Sequence, residues 1–215
     1  MYFRGTNTYT GGTRVQTQSV STPHRIRTDQ ALGLGVIELL NPANNPDFAT
    51  LYLDTASLTL PNEIRGKGYI RTDATRLLTV TNALSPFDTG LTNWVKVAGQ
   101  QDVVRFRIER LKFGTDAVGA TYNFQYNATT NDWVGCDYLE FGAASPKLNV
   151  EWLGAGDPAE GTYTLFTYTT LGGATPTWTV TTPPSLRGTV RINTDQKRVE
   201  LELLPSANGM LILIR

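Results

Sequence analysis

The stretch Gly-Thr-Asn-Thr-Tyr-Thr-Gly-Gly-Thr, residues 5–13, decides the fold of this chain. Two adjacent glycines, Gly11 and Gly12, allow backbone conformations with positive φ, whereas the threonines and Tyr9 favour extended backbone. The stretch therefore predicts a strand, a tight corner and a second strand. Tyr9, Gly11 and Gly12 form this repeat corner, and a corner flanked by strands is the unit of a coil.

Outward from this corner, short extended segments alternate with turn residues. We predict strands over 36–40, 50–53 and 57–60, and the first of them stops at Asn41-Pro42. Helical periodicity is hard to find, so the sequence predicts an all-β protein.

Between residues 103 and 113 apolar and charged side chains alternate, which predicts a half-buried strand. A slip or bulge near Arg110 is needed to keep the apolar residues on one face. The inward residues are then Val104, Phe106, Ile108, Leu111 and Phe113.

Two phrases resemble a known family. Residues 7–13 and the phrase Gly-Thr-Tyr-Thr-Leu-Phe-Thr-Tyr-Thr at 161–169 are similar to the autotransporter-associated β-strand repeat of bacterial cell-surface and secreted proteins. The resemblance implies a right-handed parallel β-helix (solenoid) over residues 1–100. It implies a C-terminal β-rich region over residues 101–215, of sandwich-like or continued-solenoid form.

Composition excludes some partners. Lys and Arg number 19, as do Asp and Glu, and no basic run is interleaved with aromatic residues, so nucleic acid is not expected as a partner. No apolar run approaches the roughly 18 residues of a membrane span, and no export signal is visible in this chain. The family resemblance implies an extracellular or cell-surface location in bacteria. We therefore expect the signal to lie outside this chain, which would then be a mature or truncated piece of a longer product.

Candidates for catalysis and metal binding are few. His24 is the only histidine and is expected in a surface loop, and Cys136 is the only cysteine and reads as a small buried hydrophobe. The sequence thus predicts no cofactor. Calcium is the one alternative, through the oxygens of residues 41–47, which lack the alternation of a calcium loop.

Pairs of acidic residues leave open the alternative that the protein is an enzyme. A polysaccharide lyase or hydrolase needs carboxylates that face one groove. The acidic residues close in sequence are Asp132 with Asp137 and Glu151 with Asp157. We interpret them as turn and strand-surface residues, because aspartate favours turns through local hydrogen bonds. The sequence therefore predicts a non-catalytic protein.

The chain ends in an apolar segment with high β-propensity. Such a segment is an aggregation hazard if it stays an exposed edge strand. Either it pairs within its own domain or it adds to a sheet edge of another copy, which would give a homo-oligomer or a head-to-tail filament. The residues concerned are Met210, Leu211, Ile212, Leu213 and Ile214.

Together with the family resemblance, these observations predict a non-catalytic extracellular or cell-surface structural protein that self-assembles into a fibre or matrix. The alternative is an adhesin or carbohydrate-binding module. In that alternative, aromatic rings stack on cell-surface sugars, or arginines face an acidic glycan. The residues in question are Trp94, Trp133, Trp152 and Trp178, with Arg105, Arg107 and Arg110.

Overall fold

A computed structural model of the chain describes residues 2–15, 24–40, 50–66, 68–71, 76–85, 106–114, 120–129, 131–142 and 145–206. These residues form strands, turns and loops, and none of them is helical. The strands are β1 (Tyr2–Phe3), β2 (Thr13–Val15), β3 (His24–Ile26), β4 (Ile37–Leu39), β5 (Thr50–Leu53), β6 (Ser57–Leu60), β7 (Ile64–Gly66), β8 (Gly68–Arg71), β9 (Leu77–Val80), β10 (Ala83–Ser85), β11 (Phe106–Phe113), β12 (Thr121–Tyr126), β13 (Val134–Phe141), β14 (Lys147–Trp152), β15 (Gly161–Gly173), β16 (Thr179–Thr181), β17 (Leu186–Asn193) and β18 (Arg198–Pro205).

The strands form two large sheets between which the chain passes repeatedly. Sheet A has 11 strands, in the order β1-β3-β5-β8-β11-β13-β15-β18-β17, with β6 and β9 beside this path. Sheet B has 7 strands, in the order β2-β4-β7-β10-β12-β14-β16. Successive passes lie next to each other and pair in parallel up to β15 and β16. The all-β prediction is confirmed, and the two mostly parallel sheets are consistent with a β-solenoid-like arrangement.

Apolar side chains at equivalent positions of successive passes build the core. In sheet B the register aligns Ile37, Ile64, Leu84, Tyr122 and Leu148, all of which are fully buried. Because alternate residues of a strand point to opposite faces, these columns place the intervening polar residues on the outside. The equivalent column of sheet A aligns Leu51, Ile70, Ile108, Cys136 and Tyr168.

Cys136 therefore occupies an apolar position of the core. As the single cysteine of the sequence it forms no internal disulfide, and it is buried, as expected for a small hydrophobic residue.

In the long strand β11 of sheet A, the alternation of buried residues slips where the earlier pass is divided into β8 and β9. In β11, Ile108 and Leu111 are both buried, so the alternation slips between them, as predicted near Arg110. Residues 106–108 of β11 pair with β8, and residues 111–113 pair with β9. One long strand thus corresponds to two short ones, and the slip marks the corner between them. Phe113 is buried as predicted, whereas Val104 and the side chain of Phe106 lie outside the described residues.

The quoted stretch, residues 5–13, forms the connection from β1 to β2, but only its last residue lies in a strand. The strand predicted before the Gly11-Gly12 corner is therefore wrong. The backbone of these residues bonds to the next corner instead: Asn7 N donates to Gln30 O at 3.1 Å, and Leu34 N donates to Tyr9 O at 2.9 Å. Gly12 has a φ of 74°, as the corner requires.

Neighbouring corners stack closely. The Tyr9 hydroxyl contacts Thr13 Oγ1 at 2.7 Å. The Thr13 hydroxyl in turn donates to Leu32 O at 2.9 Å. Gly35 lies against Gly12, since a Cβ on Gly35 would be 2.3 Å from Gly12 N. The repeat corner of residues 7–13 and the segment 31–36 therefore form consecutive layers of one corner.

The C-terminal half continues both sheets. Ladders β8–β11 and β10–β12 join strands on either side of residue 100, and the proposed division of the chain there stays a prediction. Sheet A ends in the antiparallel strands β18 and β17, which follow β15. The apolar segment 210–214 lies outside the described residues.

Candidate functional site

The acidic residues named from the sequence differ in burial. Asp132 is fully buried, and its Oδ2 accepts a hydrogen bond from Gln125 N at 2.9 Å. Asp137, Glu151 and Asp157 are exposed. Among the described residues no group of three His, Cys, Asp or Glu side chains is placed to hold a metal ion. The predicted calcium ligands at 41–47 lie outside those residues.

His24 was expected in a loop but begins strand β3. Its ring stacks on Phe3 with 6.0 Å between centroids. Burial, and secondarily the positive N-terminus, lower the pKa of this imidazole below 6.5. Because the apolar ring of Phe3 covers one side of the imidazole, we interpret His24 as a packing residue of the first coil.

The tryptophans that the structure describes are partly buried. Trp178 lies among Phe113, Phe141 and Phe166, and it stacks on Phe113 at 6.0 Å between ring centroids. The Trp152 indole N–H donates to Gly156 O at 3.2 Å while its ring packs against Tyr126. Trp133 is half-buried, and Trp94 lies outside the described residues. The rings of Trp152 and Trp178 are thus held by packing against the core.

Arg110 lies over the Tyr138 ring, with 4.8 Å from its Cζ to the ring centroid. The Tyr138 hydroxyl donates to Glu140 Oε2 at 3.0 Å, and this bond together with burial raises the tyrosine pKa. Lys112 Nζ lies 3.1 Å from the same carboxylate. The charged side chains on this part of sheet A therefore interact with one another and with the Tyr138 ring. Arg105 and the side chain of Arg107 lie outside the described residues.

An arginine cluster surrounds Asp54, directly after β5. Its carboxylate lies 2.7 Å from Arg27 Nη2, 3.3 Å from Arg76 Nη1 and 3.5 Å from Arg25 Nη1. The hydrogen bond from Arg27, followed by the three positive charges, holds the pKa of Asp54 below 3.8 although partial burial opposes this. Arg25 and Arg76 also lie over the Tyr52 ring. The cluster thus joins β3, β5 and β9 on the outside of sheet A.

A groove opens on the outer face of sheet B, and sequence reasoning did not identify it. Its volume is about 360 Å³. Ser85 of β10 contributes a small side chain to it and is aligned with the longer Arg65 of β7. We call it the polar groove, and it is lined by Glu63, Arg65, Ser85, Asn123, Gln125, Asn149 and Glu151.

A directional chain of hydrogen bonds crosses the polar groove from β14 to β7. Asn149 Nδ2 donates to Asn123 Oδ1 at 3.0 Å, and Asn123 Nδ2 donates to Ser85 Oγ at 2.9 Å. Ser85 Oγ then donates to Glu63 Oε1 at 3.1 Å. The strand register produces this order, because Asn123 is aligned with Asn149 across β12 and β14.

Further polar contacts hold the side chains at both ends of the polar groove. Gln125 Nε2 donates to Glu151 Oε2 at 2.5 Å, while Gln125 Oε1 is buried without a hydrogen-bond partner among the described residues. On the other side, Arg65 Nη2 lies 2.8 Å from Glu38 Oε1, and Arg14 Nε lies 2.6 Å from Glu38 Oε2. An ion pair therefore holds the guanidinium of Arg65 at the β7 side.

The sequence contained a signal for the groove in the pairs Asn123-x-Gln125 and Asn149-x-Glu151. Each pair puts two hydrogen-bonding side chains on the outer face of a strand. The register of β12 and β14, which aligns the two pairs, was needed to place them side by side.

Comparisons with known proteins add no family to this picture. No protein-family model, curated protein or solved structure matches the chain. The resemblance of residues 7–13 and 161–169 to the autotransporter-associated repeat stays a prediction. The described residues contain no helix long and apolar enough for a membrane span.

Proposed function

We propose that the protein is a non-catalytic structural protein of the bacterial cell surface or exterior, a right-handed parallel β-helix that assembles end to end. The supporting observation is the difference between its two ends. Strands β1 and β2 are the first strands of their sheets, and no described strand covers their outer edges. The core reaches this end, since Val15 of β2 is buried.

The opposite end of sheet A is protected against strand addition. The antiparallel strand β17 forms its edge and carries the exposed residues Arg187 and Arg191. Arg191 also pairs with Glu202 of β18 at 2.7 Å. Charged residues on an edge strand oppose pairing with another chain. An assembly contact is therefore favoured at the N-terminal edges.

The proposed donor is the apolar segment 210–214 of a second copy. Extended segments bind open sheet edges through main-chain hydrogen bonds, and this mode needs a free edge and a segment with high β-propensity. Edge strand β2 provides the acceptor. Thr13 N donates inward to Val36 O and Val15 O accepts inward from Leu40 N, so the N–H of Arg14 between them points outward. Because the donor segment and the acceptor edge are different surfaces, the contact is heterologous, and its repetition produces a filament when the rotation does not close a ring.

The test compares Arg14→Pro with Arg14→Ala. Both variants lose the ion pair with Glu38, but only proline removes the outward N–H. Sedimentation velocity and electron microscopy at increasing concentration should show filaments for the wild type and Arg14→Ala, and dispersed particles for Arg14→Pro.

A second pair of variants tests the donor. Ile212→Lys places a charge in the apolar segment, and Leu204→Lys places one at an exposed position of β18 as the control. Filaments should disappear in Ile212→Lys alone. A wild type that stays monomeric at high concentration, or filaments that persist in both Arg14→Pro and Ile212→Lys, would refute the assembly.

A further inference from the structure

We infer that the polar groove of sheet B is a binding site for a neutral, hydroxyl-rich glycan. The groove lies on the outer face of the sheet, whereas the proposed assembly uses strand edges. The glycan site therefore goes beyond the proposed structural function and can be tested separately from it.

The chemistry of the lining selects the class of ligand. Every lining side chain is an amide, a carboxylate, a guanidinium or a hydroxyl. Sites for apolar small molecules are lined mainly by hydrophobic and aromatic side chains, so this composition disfavours them. Sugar hydroxyls both donate and accept hydrogen bonds, which matches a surface that presents donors and acceptors together.

The net charge of the polar groove narrows the class of ligand further. Glu63 and Glu151 contribute two carboxylates, and the one guanidinium, Arg65, is already paired with Glu38. The net charge of the groove is negative, so uronates, sulfated sugars and phosphates are repelled. A neutral glycan avoids this repulsion and still uses the carboxylates as strong acceptors.

The internal hydrogen bonds pre-organise the surface. The chain from Asn149 through Asn123 and Ser85 to Glu63 fixes which atom of each amide faces its neighbour. Each asparagine Nδ2 carries a second N–H beyond the one used in this chain. A ligand therefore meets groups whose orientation is already set, which lowers the entropic cost of binding.

Gln125 carries a further acceptor beside the groove. Its Oε1 is buried and has no hydrogen-bond partner among the described residues, while its Nε2 is held by Glu151. A buried acceptor without a partner costs free energy, and a rotation of the Gln125 amide that brings Oε1 to the groove surface would let it accept a hydrogen bond from a sugar hydroxyl.

The spacing of the groove suits a chain of sugars. Its residues come from four neighbouring strands, β7, β10, β12 and β14, and adjacent strands lie about 4.8 Å apart. This distance is similar to the length of one pyranose unit. An extended oligosaccharide that crosses the strands thus presents successive rings to successive strands.

The experiment uses the full chain and immobilised tetrasaccharides of glucose, galactose, mannose and N-acetylglucosamine, with tetragalacturonate as the anionic probe. Titration calorimetry then gives the affinity for the neutral probe that binds best. Asn149→Ala and Gln125→Ala should each weaken binding by about five- to tenfold, the value of one lost hydrogen bond. Lys147→Ala, on the same strand and face as Asn149 but outside the groove, should change it less than about twofold.

Glu151→Gln gives a further readout, because it keeps the shape of the side chain and removes one negative charge. It should weaken binding of the neutral probe and reduce discrimination against tetragalacturonate. Far-UV circular dichroism and thermal unfolding show that each variant folds. Absence of binding to all four neutral probes, preference for tetragalacturonate, or equal effects of Asn149→Ala and Lys147→Ala would overturn the proposal. Filament formation is recorded in parallel, so failure of the glycan site is distinguished from failure of assembly.

Discussion

Asn62 donates from Nδ2 to the carbonyl oxygen of Gly35 at 2.6 Å, across one coil of the chain. The same nitrogen donates to Gly33 O at 3.0 Å. Glycines at this corner allow the close stacking of layers, but they leave backbone carbonyls inside the protein. The buried amide of Asn62 satisfies two of them.

Replacement of Asn62 by alanine should lower the free energy of unfolding by about 1–3 kcal/mol, because two carbonyl oxygens lose their donor. Urea denaturation measures the change. Asn82→Ala is the matched control, since Asn82 donates to Pro61 O at 2.9 Å in an exposed bond that water replaces. A loss for Asn82→Ala as large as for Asn62→Ala would show that burial of the carbonyls is not the cause.

Gly35→Ala should destabilise the corner by about 1–3 kcal/mol or more, because its Cβ would overlap backbone atoms. That Cβ would lie 2.3 Å from Gly12 N and 2.5 Å from Thr10 O. Gly11→Ala is the control, since its Cβ meets nothing within 4 Å, and it should change stability by less than about 0.5 kcal/mol. Thermal unfolding of both variants measures this, and equal melting temperatures would contradict the stacked corner.

The arginine cluster predicts a pH-dependent contribution to stability from Asp54. Its pKa is lower in the folded protein than the usual 3.8, so the unfolded chain binds more protons when the pH falls. The stabilisation is therefore complete above about pH 4 and is lost as the pH falls through the folded pKa. Asp54→Asn should reduce the melting temperature at neutral pH, and its difference from the wild type should shrink in acid. Asp157→Asn, at an exposed site, is the control, and a constant difference for Asp54→Asn across this range would contradict the mechanism.

Phe166 packs against four aromatic rings, those of Phe113, Tyr122, Phe141 and Trp178. Phe166→Ala should therefore cost about 3–5 kcal/mol, the usual range for a buried aromatic residue. Near-UV circular dichroism should lose its aromatic signal in the same variant. Phe3→Ala, at the partly exposed first strand, should cost less than half as much. A small effect at Phe166 would show that the aromatic cluster repacks freely.

Much of the fold could be predicted from the sequence, because apolar and polar residues alternate clearly within the strands. Strands β5 and β6 begin and end where the pattern places them. The opening stretch was different, since threonine and tyrosine favour extended backbone but their backbone groups bond to the next corner instead of to a ladder. Local propensity does not contain that information.

The polar groove could not be predicted, because it arises from register between strands that are distant in sequence. Ser85 and Asn123 are 38 residues apart, yet they share a hydrogen bond. The parallel pairing of β10 with β12 determines this alignment, and no local pattern encodes it. The sequence suggested that the tryptophans stack on sugars, but packing against the core explains the positions of Trp152 and Trp178.

The slip in β11, which β13 and β15 repeat, shows that the number of residues at this corner is independent of the strand pairing on either side of it. In β11, Glu109 and Arg110 pass directly between the buried Ile108 and Leu111, whereas residues 71–77 connect the equivalent positions of β8 and β9. Extra residues at this corner leave the ladders on both sides in register. The corner thus tolerates insertion, and new loops can be acquired there without redesign of the interior.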